Sequence, residues 1–203
     1  MRRIELRDLL ASPEEISHFR EVLARGGVAA LPTETFYALA ADPTSERGVS
    51  RTFEVKGRDE GKPLLVLFSS RAQLERLGVT AGLETLDRFF RIWPAPLTAV
   101  FPLASPIPAS RGSTTLGVRM PAVAAVRELL DAVGPLTGTS ANRSGEPPLL
   151  SPDAVEDALG SDIDLIVDGG PTPGGEPSTV IDATREPPVV LRSGAFRWPP
   201  QEH

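Results

Sequence analysis

Cysteine is absent from the 203 residues, which removes disulfide staples, thiolate metal ligands and a thiol nucleophile in one stroke. Histidine is nearly absent. His18 falls inside a helical pattern and His203 is the last residue, leaving no histidine pair for a metal centre and no base for a catalytic triad. Aromatic residues make up 5%, which weighs against a single-stranded RNA binder built on stacking platforms. No apolar run reaches the ~20 residues of a membrane span. The opening Met1-Arg2-Arg3-Ile4-Glu5-Leu6-Arg7-Asp8 places no hydrophobic stretch behind its basic residues, so a cytoplasmic protein with no membrane partner is expected.

What is present is ordinary for a globular chain, 40% hydrophobic and 24% charged. A single domain over 1–203 is expected, large enough to bury ~70% of its unfolded-chain surface. The formal net charge of −6 argues against gripping nucleic acid with the whole surface, because phosphate contacts dominate such binding. A local basic cavity stays compatible with it, as does weak RNA binding. Among 21 basic residues only Lys56 and Lys62 are lysines, and they stand six positions apart in Glu54-Val-Lys-Gly-Arg-Asp-Glu-Gly-Lys-Pro63. A site that needs compact point charges would keep them there. Lys56, Arg58 and Lys62 together suit an anion, while Asp59 and Glu60 would equally neutralise a solvated turn.

The patterning alternates helix and strand. Ser12-Pro13-Glu14-Glu15 is a capping box ahead of the apolar stripe Ile16, Phe19, Val22, Leu23, which stops at Gly26-Gly27. A short strand over 28–31 then opens into a polar loop, Pro32 to Tyr37. From Ser45, residues Val49, Thr52, Phe53 and Lys56 recur at helical spacing, placing the Lys56 cation on a helix's last turn. Further strands are expected over 64–68, 97–101, 115–119, 136–140, 164–167, 179–182 and 189–191. Helices are expected over 70–77, 83–93, 121–133 and 152–159. Interleaved helices and strands, with the late strands close together, indicate an α/β fold on a mixed parallel and antiparallel sheet.

Gly57 to Lys62 is not a phosphate-binding P-loop: three residues separate its glycines and Pro63 stands where a magnesium-binding hydroxyl belongs. Strand ends carry more information. Thr33-Glu34-Thr35 follows one strand, Thr139-Ser140-Ala141-Asn142 another, Ser178-Thr179 opens a third, and Arg119 and Arg192 each close one. Hydroxyls, an amide and arginines at strand–loop junctions are the donors that a small anionic ligand requires.

Seven segments in order, Leu31-Pro-Thr-Glu-Thr-Phe-Tyr37, Lys56-Gly-Arg58, Trp93-Pro-Ala-Pro-Leu-Thr98, Val118-Arg-Met-Pro121, Thr139-Ser-Ala-Asn142, Ser178-Thr-Val-Ile-Asp182 and Leu191-Arg-Ser-Gly194, resemble the YrdC family of threonylcarbamoyl-AMP synthases. The resemblance spans about residues 15 to 196. It implies a twisted mixed sheet with flanking helices around a deep basic cavity, in a short form without the extra C-terminal domain of some relatives. It further implies synthesis of threonylcarbamoyl-AMP and pyrophosphate from L-threonine, bicarbonate and ATP, with magnesium accompanying the ATP. A downstream transferase would then act on the tRNA adenosine beside the anticodon. Carried over by position, it implies catalytic roles for Lys56, Arg58, Ser140 and Asn142. ATP contacts would come from Arg58, Lys62, Thr115, Ser140 and Arg192, and threonine contacts from Thr35, Gly138, Arg119 and Ser178.

The chain departs from the family pattern at Leu67, where many relatives carry histidine, and at Asp59, where proline is usual after Lys-Gly-Arg. Ala38, Ala40 and Ala95 replace common glycines, and Glu176-Pro177 precedes Ser178. These changes bear on substrate identity more than on fold. Two other readings therefore stay open: a paralogue acting on another acyl or carbamoyl substrate, and an RNA-binding module without turnover.

Overall fold

The computed structural model describes residues 1–57 and 61–200. The chain begins with β1 (Arg2–Glu5), α1 (Leu6–Ala11), α2 (Pro13–Ala24), β2 (Ala29–Pro32), β3 (Tyr37–Ala40) and α3 (Glu46–Lys56). It continues through β4 (Val66–Leu67), α4 (Arg71–Arg76), α5 (Leu83–Phe90), β5 (Leu97–Pro102), β6 (Thr115–Arg119), α6 (Ala124–Val133), β7 (Leu136–Thr137) and β8 (Thr139–Ser140). The last elements are α7 (Pro152–Leu159), β9 (Leu165–Asp168), β10 (Thr179–Asp182) and β11 (Val189–Arg192).

Three of the helices begin as their serines dictate. Ser12, Ser45 and Ser151 each accept a hydrogen bond through Oγ, from the amides of Glu15, Gly48 and Ala154, at 3.2 Å in every case, which satisfies one of the orphan donors of the first turn. Helix α3 ends on Gly57 at φ 57°, a left-handed stop that glycine adopts without steric cost.

The mixed α/β class expected from the pattern is present, and the hydrogen-bond ladders divide its strands between two sheets. One runs β1-β9-β2-β3-β8 and the other β11-β10-β5-β6-β4-β7, each with parallel and antiparallel neighbours. The first sheet is covered on both faces. Ala29 and Leu31 pack with α1, α2 and α6, whereas Ala30 and Leu39 pack with Val155 and Leu159 of α7.

In the second sheet alternation separates core from cavity. Leu97, Ala99, Phe101, Leu116, Val118 and Ile181 enter a core rich in rings, including Phe89 and Phe101 edge to face at 5.3 Å. Their alternate neighbours Thr98, Val100, Thr115, Gly117, Arg119 and Val180 face a cavity instead.

Several local expectations change. The segment 136–140, read as one strand, breaks at Gly138 into β7 and β8, which belong to different sheets. Tyr37, read as the end of a polar loop, instead opens β3, a strand not expected from the sequence, which forms because it pairs with both β2 and β8; its two alanines carry little strand preference. The strand over 64–68 contracts to β4, and the helix expected from Pro121 starts at Ala124.

Two elements precede the expected core. Strand β1 pairs in parallel with β9, and Arg3 is tied to Asp168 at 2.7 Å and to Asp153 at 2.6 Å.

Candidate active site

A cavity of about 580 Å³ opens between the two sheets. Strands β3 and β8 supply one wall, and β5, β6, β10 and the Arg192 end of β11 supply the other, with Lys56 of α3 also on its lining. Residues distant in sequence meet because the chain crosses between the sheets three times: from β3 to β4, at Gly138 from β7 to β8, and again from β9 to β10.

Of the residues singled out from sequence, Thr35, Lys56, Thr115, Arg119, Gly138, Ser140, Asn142, Ser178 and Arg192 all border this one hollow. Lys62 does not: it is exposed and outside the lining. Arg58 lies outside the described residues.

Lys56 is 4% exposed. Its Nζ donates to the carbonyls of Ser140 at 2.6 Å and Asn142 at 3.2 Å, and to Asn142 Oδ1 at 3.0 Å. Ser140 Oγ donates to the same Oδ1 at 2.7 Å, and Asn142 Nδ2 donates to the carbonyls of Arg143 and Glu146. The backbone closes the knot, with Ser144 N–H donating to the Lys56 carbonyl at 2.8 Å. The ammonium thus braces the loop that carries Ser140 and Asn142, in addition to supplying positive charge.

The opposite end of the cavity holds a guanidinium. Arg119 is 4% exposed and borders the hollow, and its Nε has no hydrogen-bond partner among the described residues. Its nearest counter-charge is Glu34, whose Oε1 stands 3.8 Å from Arg119 Nε. Burial lowers the Arg119 pKa, Glu34 opposes that shift, and the neighbouring Arg192 cation adds to it. Arginine stays protonated even so.

Around the guanidinium stand hydroxyls. Thr35 Oγ1 lies 3.1 Å from Thr33 Oγ1, and Ser178 Oγ lies 2.9 Å from Thr98 Oγ1. Arg192 reaches back across β10 and donates to the Ser178 carbonyl at 2.7 Å, while burial lowers its own pKa.

Gly138 has a steric reason to be glycine: a Cβ there would meet Leu67 Cγ at 2.5 Å. Thr98, Thr33 and Glu34 were not assigned roles from sequence. Thr98 was legible as the polar member of an alternating strand, Leu97-Thr98-Ala99-Val100-Phe101. Thr33 and Glu34 stood in the strand-end triplet Thr33-Glu34-Thr35 and in the first of the seven segments, but nothing in the sequence set Glu34 against Arg119.

Comparison with known proteins follows the same outline. The model of the Sua5/YciO/YrdC family, described as "Telomere recombination", matches residues 21–194. A threonylcarbamoyl-AMP synthase of Pyrococcus abyssi is 40% identical over 177 residues, 86% of this chain and 52% of the relative. Another synthase of that name, from Coxiella burnetii, is 31% identical over 173 residues, 84% of this chain and 93% of the relative. The crystal structure of P. abyssi Sua5 complexed with L-threonine superposes with a TM-score of 0.82 at 38% identity, covering 90% of this chain and 55% of that one. The chain spans about half the length of the P. abyssi relative. With the family model covering most of its length and synthases of two organisms aligned along it, the chain belongs to the Sua5/YciO/YrdC family.

Proposed function

We propose that this chain is a nucleotidyltransferase that makes threonylcarbamoyl-AMP and pyrophosphate from L-threonine, bicarbonate and ATP. The observation that carries the reading is Arg119: a guanidinium almost wholly buried at a cavity wall, whose Nε has no hydrogen-bond partner among the described residues and whose counter-charge, Glu34, stands off at 3.8 Å. A buried charge left in that state is costly unless something else completes it. A carboxylate that accepts two N–H bonds from its fork does so with matching geometry. Thr35, Ser178 and the backbone at Gly138 surround that point with groups able to fix an amino acid's amine and hydroxyl. The names of the family relatives and the L-threonine held by P. abyssi Sua5 support threonine as that amino acid.

In this reading the threonine amine and bicarbonate condense to a carbamate with loss of water. A carbamate oxygen attacks the α-phosphorus of ATP, the bond to the bridging oxygen breaks, and pyrophosphate leaves. No protein nucleophile takes part. The chain aligns the reactants and balances charge that shifts onto phosphate oxygens. Thr115, Ser140 and Arg192, which line the cavity, are assigned to ATP in this reading, with Arg58 and the more peripheral Lys62 as further cations. Lys56 and Asn142 hold the Ser140 loop in register.

Magnesium enters only as the companion of ATP. Among the described residues no group of three or more His, Cys, Asp or Glu side chains is placed to hold a metal, so no step is drawn through it. Among the described residues no helix is long and apolar enough to cross a membrane; the work proposed is cytoplasmic, beside a downstream threonylcarbamoyl transferase and tRNA.

The test is direct. Purified protein is incubated with ATP, labelled bicarbonate and threonine, and the adenylate is identified by mass. Label recovered in an adenylate of threonylcarbamate supports the proposal. Pyrophosphate release that requires carbamoyl phosphate and ignores threonine would replace it with the paralogue reading, and RNA binding without any adenylate would replace it with the non-catalytic one.

A further inference from the structure

Glu34 does not border the cavity, yet both of its carboxylate oxygens are directed at the exit of β6. Oε2 accepts a hydrogen bond from the Ala122 amide at 3.1 Å, and Oε1 stands 3.8 Å from Arg119 Nε. Oε1 and Nε are the two buried side-chain polar atoms without a hydrogen-bond partner among the described residues. They face one another at a separation just beyond bonding reach. A buried donor and a buried acceptor, oppositely charged and each otherwise orphaned, gain from closing that gap by a few tenths of an ångström.

We infer that Glu34 is a positioning residue for substrate carboxylate binding: it holds the Nε edge of Arg119 from behind, leaving the terminal amino pair of the fork to face the cavity. This rests on the proposed role of Arg119. A guanidinium offers more than one two-pronged edge. A ligand carboxylate that could choose between edges would be held in two orientations, which spreads the amine over two positions. Glu34 occupies one edge, so the other is presented in a single pose. The carboxylate is fixed in turn by Ala122, three residues beyond Arg119, so the residue it orients and the backbone that anchors it move together.

The two ideas separate in a paired experiment on the full chain. Arg119→Lys keeps charge and loses the fork; Glu34→Gln keeps shape and an acceptor for Ala122 and loses charge. Threonine affinity is measured by titration calorimetry without ATP, and KM for threonine and for ATP with kcat by pyrophosphate release. Glu34→Gln is expected to weaken threonine tenfold or more while KM for ATP changes less than twofold, and Glu34→Asp to recover part of the loss. In the Arg119→Lys background the Glu34→Gln effect should largely vanish.

If Arg119→Lys leaves threonine binding unchanged, the reading of the site fails. If Arg119→Lys weakens threonine but Glu34→Gln does not, or tightens it, the positioning role is overturned. A uniform loss for both substrates, tracking thermal stability, would make Glu34 structural and overturn it as well. Should Glu34→Gln fail to fold, Glu34→Asp decides alone: a selective threonine loss supports the role, and equal losses for threonine and ATP refute it.

Discussion

Replacing Lys56 by methionine keeps most of the stem's volume and removes the ammonium. The structure predicts two losses together. Three acceptors, the Ser140 and Asn142 carbonyls and Asn142 Oδ1, lie at 2.6, 3.2 and 3.0 Å from Nζ in a site that is 4% exposed. Hydrogen bonds to a charged group contribute about 1.5–3 kcal/mol each. Bonds that share one donor do not add, and Ser140 Oγ still serves Oδ1 at 2.7 Å, so a total near 3 kcal/mol is the working figure. For a chain of this size that lowers Tm by roughly 6–12 °C. Catalysis should fall further than folding, because the loop that carries Ser140 and Asn142 loses its anchor even in molecules that remain folded.

The assay pairs thermal unfolding with single-turnover formation of the adenylate well below the lowered Tm. A variant with unchanged Tm and no activity would show that Lys56 serves the ligand alone and that the brace contributes nothing. A variant with both properties intact would remove Lys56 from the site altogether. Reading the lysine only as a phosphate ligand predicts the first of these results; the hydrogen-bond geometry predicts neither.

Three further substitutions probe the cavity wall and the segments beside it. Gly138→Ala forces a Cβ to within 2.5 Å of Leu67 Cγ and should cost about 1–3 kcal/mol of stability in chemical denaturation, a loss that adding Leu67→Ala should partly reverse. Gly194→Ala drives a Cβ into the Pro177 carbonyl oxygen and the Ser178 backbone, which cannot turn aside as a side chain could, and should loosen the segment that brings Arg192 onto Ser178, visible as a raised KM for ATP. Burial pushes the Tyr37 hydroxyl up to about 12, against about 10 in the unfolded chain. Between those values only the unfolded state gives up its proton, so stability falls as pH rises from 10 to 12. Tyr37→Phe should abolish that part of the alkaline slope while losing the bridge between the Gly169 amide and the Gly170 carbonyl at every pH.

The helices were legible wherever a local device marks them: serine caps before α2, α3 and α7, apolar stripes behind them, glycine at the end of α3. The central strands were legible from apolar runs. What stayed hidden depends on partners far along the chain. Strand β3, Tyr-Ala-Leu-Ala, is half alanine and exists because β2 and β8 lie on either side of it. Strand β1 is mostly exposed and polar, and is held by β9 and the Arg3 ion pairs. The division of 136–140 between two sheets turns on Gly138 fitting over Leu67, a tertiary constraint with no periodic trace.

The candidate site was legible by residue type, and nine of its eleven assigned residues converge. The sequence could not tell which cation is committed to the protein and which is left for a ligand. That distinction fixes how the cavity works. Lys56 satisfies backbone carbonyls and so stabilises a shape, whereas Arg119, with a counter-charge held at 3.8 Å, keeps its charge available. Two cations of equal formal charge therefore differ in use: one fixes the loop that carries Ser140 and Asn142, and on the proposed function the other is left for a substrate carboxylate. For the proposed reaction such a cavity needs no nucleophile of its own, because its contribution would be to bring together groups that already react once aligned and stripped of water. That division also explains why exchanging the two residue types would fail: lysine at 119 has no fork, and arginine at 56 would bring a planar fork to a pocket whose acceptors surround a single point.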